Sequence, residues 1–519
     1  MRSRAALLVP LAVYLLAVSS FLGDSYSRFD FPLDDAWIHR VYSRSVAFGR
    51  GFEYNQGAQE AGSTSPLWAI VTAPAHWFEA AGEGAVVAVV KLIGVLLGLT
   101  VVFAVNRLVR AVTGSALAGT VAASLFALEP RFLFSCLSGM ENVLLLALWV
   151  GGSAALFVNR PLASVILFAL APVTRPEAVI LLPLCLPGLI RFSRGRVRRA
   201  ARLGAWLIPV VPVVVWALFC KSSTGHFLAN TFYMKTRPFQ FGLGELDIVR
   251  KSLLLGGLAP VWAFVPGAAA GAVAFWMGPR KMISLAALVV APCVYLVGVL
   301  GTREVFLEGY YWTRWLDPAC IVLMIPCCAG FGFVFSWGLG GVSAPGPESR
   351  WPGHLRRTRM AAAIAGAALL AAAVPSHLAA LADRRGHLST DSRAIRIMNV
   401  EPGKWIREHT PEGSVVAAND AGAIRYFGRR RTIDILGLNS ADIAFHKMDA
   451  RQAIMDADWL AIFPSWFSGT SLGVDIAASF EPRVEVRIPL EEYTVCRNAG
   501  QTVMVILERK RRVPQPTGG

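Results

Sequence analysis

Apolar residues gather into long runs separated by short polar stretches, and only the last quarter of the chain departs from that pattern. The runs predict membrane-spanning helices over residues 5–22, 84–106, 113–129, 139–157, 162–173, 176–190, 204–220, 254–277, 283–300, 318–339 and 360–381, about eleven in all. Residues 66–80 are apolar but broken by Pro74, His76 and Glu79, which suits a helix lying along the membrane surface. From Asp383 onward the apolar runs shorten and charges become frequent. Segments 415–418, 432–435, 459–462 and 502–507 read as buried strands, with helices between them near 401–409, 420–427 and 448–457. The expected architecture is a polytopic α-helical membrane domain, residues 1–382, followed by a small α/β domain, residues 383–519.

Composition agrees: of 519 residues, 55% are hydrophobic and 16% charged, the balance of an integral membrane protein. The net charge of +16 does not indicate nucleic acid, because the basic residues form short clusters between apolar runs. Arg107 and Arg110, Arg160, the cluster 191–202, Arg280 with Lys281, and the cluster 350–359 all fall on one side of the membrane if the N-terminus is cytoplasmic. The first run has a basic start and no small-residue cleavage site, so it is expected to stay as an uncleaved span. The loop 23–65 and the C-terminal domain then lie outside. Seven of the eight cysteines sit in or beside apolar runs, Cys496 lies in the polar tail, and no CxxC pair occurs; they read as packing residues.

The longest polar stretch near the N-terminus, residues 31–68, is where chemistry is expected. Asp34 and Asp35 open an amphipathic helix, and residues one apart point about 100° apart. One carboxylate can therefore cap the helix while the other faces a cavity. Asp35, His39 and Tyr42 fall on one helical face. An N-cap and a first-turn acid account for the same pair, so the spacing alone leaves both readings open. Elsewhere, Arg175 and Glu177 join two short apolar pieces, where lipid offers them no partner. They form either a structural pair or part of a polar cavity. Glu141 opens a span on the same side. Lys235, among the aromatics of residues 226–236, and Arg314, among Tyr310, Tyr311, Trp312 and Trp315 with Glu308 nearby, are cations on the expected outer side. They suit either an interfacial belt or a phosphate.

The order Asp34-Asp35-Ala36-Trp37-Ile38, then Arg44-Ser45, Gly49, Gly51-Phe52, Tyr54-Asn55, Gly57, and Glu60 with Gly62-Ser63-Thr64-Ser65-Pro66-Leu67-Trp68 resembles the first periplasmic loop of bacterial GT-C glycosyltransferases. The nearest likeness is to the mycobacterial arabinofuranosyltransferases that add terminal residues. Arg175-Pro176-Glu177, Glu141, Asn230 to Lys235, and residues 419–427 and 433–439 resemble the same family, although Ala229 stands where the family usually has proline. The resemblance implies a bacterial plasma-membrane enzyme that moves a sugar, arabinofuranose among the candidates, from a polyprenyl-phosphate donor to a cell-envelope glycan, with inversion. It casts Asp34 or Asp35 as the base, Lys235, Arg175 and Arg314 as phosphate contacts, and His39, Tyr42, Glu60, Glu141 and Asn230 as lining the substrate cavity. A divalent cation such as Mg²⁺, Mn²⁺ or Ca²⁺ on the Asp34–Asp35 pair is a further candidate. A polyprenyl-phosphate leaving group needs no proton, so the chemistry asks for a base at the acceptor hydroxyl and positive charge at the phosphate. The competing class is a transporter or flippase of a lipid-linked sugar, against which no internal repeat relates two halves. Transfer to protein or to lipid A instead of polysaccharide is the alternative within the enzyme class.

Overall fold

The computed structural model describes residues 2–195, 198–254, 261–277, 281–305, 310–340, 353–489 and 502–510. Arg196, Arg280, Glu308, Arg350 and Cys496 lie outside the described residues. Five helices among the described residues are long and apolar enough to cross a membrane, or up to eight if each of three bent pairs counts as one span. Three shorter apolar helices, Asn142–Phe157, Pro161–Leu170 and Val265–Trp276, accompany them. The chain is thus a multi-pass helical membrane protein. Its central helix, Asp317–Gly338, has 78% of its apolar window buried. Small residues let its neighbour Val261–Met277 come very close: a Cβ on Gly330 would sit 2.0 Å from the Gly267 carbonyl oxygen. Without a hydrophobic drive between helices in lipid, such close backbone packing supplies the dispersion contacts that hold spans together.

After the first helix, Arg2–Phe21, the chain turns by 115°. Asp24 and Ser27 form a reciprocal capping box on the short helix Ser25–Phe29, and the helix Asp34–Ala47 follows. The segment after Ser65 forms Pro66–Thr72 and a 3-10 turn series, Ala73–Ala81. Trp77 and Phe78 stand exposed there, as a surface-lying helix requires.

The composition change at residue 383 does not mark a linker. A single rod, Gly353–Ile395, runs through it into a π turn, Arg396–Val400, and then Glu401–His409. The tail is a five-stranded sheet: β1 (Val415–Ala418), β2 (Arg431–Asp434), β3 (Trp459–Ile462), β4 (Phe480–Arg487) and β5 (Val503–Arg509), in the order β2-β1-β3-β5-β4. β1 pairs parallel with β2 and β3, whereas β5 pairs antiparallel with β3 and β4. Alternation splits β1 between two cores: Val416 and Ala418 join the core continuous with the helical bundle, and Ala417 joins a smaller one on the other face. β4 is an additional strand that the apolar-run pattern does not predict. It is an edge strand carrying Pro482 beside a bulge, and an edge tolerates both proline and polar residues. Because β1 and β2 are parallel, their C-terminal ends open on the same side, where such sheets place their binding loops. That side faces the loop helix.

Candidate active site

The loop helix and the tail meet through Asp34. The backbone N–H groups of Gly422 and Ala423, which start the turn after β1, donate to its two carboxylate oxygens at 2.7 and 2.8 Å. A Cβ on Gly422 would lie 2.3 Å from the Asp34 carbonyl oxygen, so only glycine permits this approach. Burial, and then the neighbouring Asp420, push the Asp34 carboxyl well above the usual carboxylate range, while the two amide bonds offset part of that rise. Asp420 is raised as well, chiefly by burial, and accepts from the Asn399 side chain at 3.0 Å.

Asp35 points elsewhere. It lines a cavity of about 580 Å³ together with His39, Glu141, Arg175, Lys235 and Arg314. Arg314 forms an ion pair with its Oδ2, and Lys235 Nζ lies 3.8 Å from the same oxygen. Burial alone would raise this carboxyl, but Arg314 and then Lys235 outweigh it and hold Asp35 well below its ordinary value. Both cations rest on aromatic faces: the Arg314 guanidinium is 4.6 Å from the Tyr311 ring and 5.4 Å from Trp315, and Lys235 is 5.6 Å from Tyr311. The aromatics expected as a membrane belt therefore also position the cations.

A second polar set forms the opposite wall. His39 Nε2 lies 3.1 Å from Glu141 Oε2, Arg175 donates to Glu141 at 2.9 Å and to Asn142 Oδ1 at 2.7 Å, and Asn142 in turn donates to the Arg314 carbonyl at 2.9 Å. A neutral imidazole that donates Nε2–H to Glu141 leaves Nδ1 as an acceptor. Arg175 is thus drawn on by protein carboxylates, whereas it was expected at the donor phosphate. Arg303 pairs with Glu177 at 2.5 Å and lines the same cavity. It was missed in the sequence, although a cation at the outer end of an apolar run runs against the positive-inside trend and marks it out. Lys235 and Arg314 carry the same signal.

Tyr42, Glu60 and Asn230 do not line this cavity. Tyr42, completely buried, donates to Asn439 Oδ1 at 3.0 Å, one helical turn beyond His39 and turned towards the tail. Glu60 accepts from the Asn230 side chain at 2.8 Å and from the Ala441 N–H at 3.4 Å. The three fasten the loop to the tail and to the helix Asn230–Lys235, which carries Lys235 into the cavity. Asp434, at the end of β2, accepts from Leu436 N–H, Asn439 N–H and Asn439 Nδ2 at 3.0, 2.9 and 2.8 Å. Burial pushes it up to about 6 against those bonds. Its fold role orients Asn439, whose side chain closes the tail side of the cavity.

The Asp34–Asp35 pair does not fit a divalent cation well. Asp34 spends both oxygens on backbone amides, Asp35 is already neutralised by two cations, and among the described residues no group of three or more His, Cys, Asp or Glu converges.

The family described as a domain of unknown function, DUF8728, matches residues 390–505. No characterised protein matches the chain by sequence. By structure the chain is similar to ArnT from Cupriavidus metallidurans bound to undecaprenyl phosphate, with 14% identity, a TM-score of 0.57, and coverage of 98% of this chain and 99% of that one. It is also similar to the archaeal oligosaccharyltransferase AglB from Archaeoglobus fulgidus, in complex with an inhibitory peptide and a dolichol-phosphate, at 12% identity and a TM-score of 0.55, over 90% of this chain and 70% of that one. The likeness is one of fold. It defines a polytopic helical membrane protein of the GT-C type with a C-terminal α/β domain.

Proposed function

We propose that this chain is an integral membrane glycosyltransferase that takes a sugar from a polyprenyl-phosphate donor and transfers it to a cell-envelope glycan on the outer face, with inversion. The observation that carries the reading is Asp35: a carboxylate facing a cavity, held between two cations that lie on the aromatic wall. Two of the similar structures hold a polyprenyl phosphate, which supports a lipid-phosphate donor here. Arabinofuranose is the sugar that the loop motif favours.

In this reading the acceptor hydroxyl attacks the anomeric carbon, the bond from that carbon to the phosphate oxygen breaks, and Asp35 takes the hydroxyl proton. Lys235 and Arg314 receive the negative charge of the departing phosphate. A carboxylate with a strongly depressed pKa is a weak base, so the arrangement has to raise it. When the donor phosphate draws Arg314 and Lys235 towards itself, their hold on Asp35 loosens and its proton affinity climbs as the donor is seated. His39, oriented by Glu141, lines the cavity wall beside Asp35. Asp34 acts through position: it ties the helix carrying Asp35 to the tail.

The test uses purified protein with a panel of polyprenyl-phosphate pentoses and hexoses plus envelope glycans, measuring release of free polyprenyl phosphate. Wild type is expected to release it from one donor class, and Asp35→Asn to be slower by about 10²- to 10⁴-fold while still folding, with a Tm lowered by the loss of the ion pairs to Arg314 and Lys235. The donor set described above leads us to expect that EDTA leaves the rate unchanged. Equal rates in wild type and Asp35→Asn would remove the base from this reading. Movement of an intact lipid-linked sugar across vesicles without its cleavage would replace it with a flippase.

A further inference from the structure

A second polar hollow lies beyond the cavity, between the loop 44–56 and the tail. It has a volume of about 560 Å³ and is lined by Arg44, Arg50, Arg425 and Arg429 against one acid, Glu53. It shares Gln56, Arg425 and Arg429 with a larger cleft, which adds Arg430 and Arg431 together with the acids Glu60, Glu412 and Asp442 and reaches Asn439, the buried residue that separates it from the Asp35 cavity. The two hollows form one arginine-lined path over the polar end of the molecule, beside the Asp35 cavity.

The cluster is short of internal counter-charge. Arg44 pairs with Glu79 at 2.7 Å, and Arg50 lies 3.8 Å from Glu53. Arg425 gives its Nε–H to the Tyr54 carbonyl at 2.8 Å, and its guanidinium lies 5.9 Å from the Tyr54 ring. Among the described residues neither Arg425 nor Arg429 has a carboxylate within salt-bridge distance. Burial lowers the pKa of both, and Arg44 lowers each further, so the guanidiniums repel one another. Arg429 also ends the helix Ala423–Gly428 in the left-handed region, at φ 53°, where glycine is the usual residue. A long cation stands in place of the residue that would relieve the backbone. Beside these charges the lining is Ser45, Tyr54, Gln56 and Tyr426, with Val41 the one aliphatic side chain. The hollow lacks the apolar lining that an acyl chain needs.

We infer that this arginine path seats the acceptor, and that the acceptor is an extended hydrophilic glycan carrying carboxylate or phosphate groups. The proposal rests on the transferase reading for the word acceptor, whereas the binding itself does not. Guanidinium pairs anions through two parallel hydrogen bonds, and several of them in a row select a chain with repeated charges over a single ion. The cleft ends against Asn439, the opposite side of which faces the Asp35 cavity, so one end of such a chain would lie next to that site.

The experiment measures binding, not turnover, so that it stands even if no donor sugar is found. Full-length protein in phosphatidylcholine nanodiscs is titrated with an oligogalacturonate, its methyl-esterified neutral form, and a short linear polyphosphate. The variant is Arg50→Gln/Arg429→Gln, at two exposed positions. Wild type is expected to bind at least one polyanion, with affinity that falls as salt rises, and the double variant at least about tenfold more weakly. The neutral oligomer is expected not to bind. Failure of both polyanions, equal binding by the double variant, or equal binding of the neutral oligomer would overturn the proposal. Selective capture of phosphatidylglycerol vesicles, with no binding of either oligomer, would assign the cluster to membrane lipid and overturn it as well.

Discussion

Two adjacent carboxylates in this chain face opposite surroundings, and the difference predicts opposite mutant behaviour. Asp35 sits among cations in a cavity. Replacing it by Asn keeps the shape and removes the negative charge, so turnover should fall while the fold survives. Asp34 sits under two backbone amides. Asp34→Ala would leave both N–H groups buried without an acceptor, at a cost of about 1–3 kcal/mol each. We therefore expect Asp34→Ala to lower Tm and turnover together, whereas Asp35→Asn, which leaves Arg314 and Lys235 without their carboxylate, lowers turnover far more than its loss of Tm accounts for; thermal unfolding and product release measured on the same preparations check this. A Tm unchanged in Asp34→Ala would deny it the fastening role. That the two acids diverge was legible from the helical angle between neighbours, but the expected cap does not form: Leu33 is the N-cap of the loop helix, without a side-chain cap, and Asp34 accepts from the tail instead. Which acid does which was not, because the partners of Asp34 lie 388 and 389 positions away in the chain. The same distance hid the turning of Tyr42 towards Asn439.

At the scale of elements, legibility followed hydrophobic contrast. Spans and the fully buried β3 are continuous apolar runs, and the pattern finds them. β4 alternates Phe480, Val484 and Val486 with charged residues at a sheet edge, which resembles a loop until its partner β5 is known. The rod from Gly353 to His409 was read as a span plus a separate helix, since a helix that leaves the membrane keeps its 3.6-residue geometry while its composition turns polar. Helix crossings are set by small residues, here Gly267 and Gly271 four apart against Gly330, a spacing that a pattern of apolar runs does not register. Gly330 shows what such a residue contributes. An added Cβ there meets backbone, the Gly267 carbonyl, which cannot swing aside as a side chain would. Gly330→Ala should force apart Val261–Met277 and Asp317–Gly338 and cost about 1–3 kcal/mol or more, visible as a lower Tm in detergent. A variant as stable as wild type would mean that these two helices do not bear on each other as described.

At the scale of the molecule, the site exists only where the helical domain and the tail are joined, and the join is built from acids. Asp34 and Asp434 are buried there and Asp420 is half-buried, and loss of solvent raises all three, Asp420 and Asp434 to about 6. A carboxyl whose pKa is higher in the folded state than in the unfolded chain, where it is about 3.9, binds its proton more tightly when folded. Its contribution to stability is complete below the unfolded value and is lost as pH rises through the raised one. Asp35 works in the opposite sense, because its depressed pKa gives a contribution that is present above the ordinary range and lost only in strong acid. Between about pH 4, the unfolded value, and about pH 6, the value to which Asp420 and Asp434 are raised, these acids therefore govern the trend, and the join should loosen as pH increases. Asp420→Asn isolates one of them: the amide oxygen can still accept from Asn399, and the ionisation is gone. Melting wild type and Asp420→Asn side by side, we expect the variant to gain on wild type steadily as pH rises across that window. Parallel curves would mean that Asp420 ionises equally in folded and unfolded chains, and that the acids at the join carry no pH-dependent load. A gain by the variant would also bear on catalysis. The helix that carries Asp35 is held by Asp34, so protons taken up at the join would tighten the frame around that carboxylate.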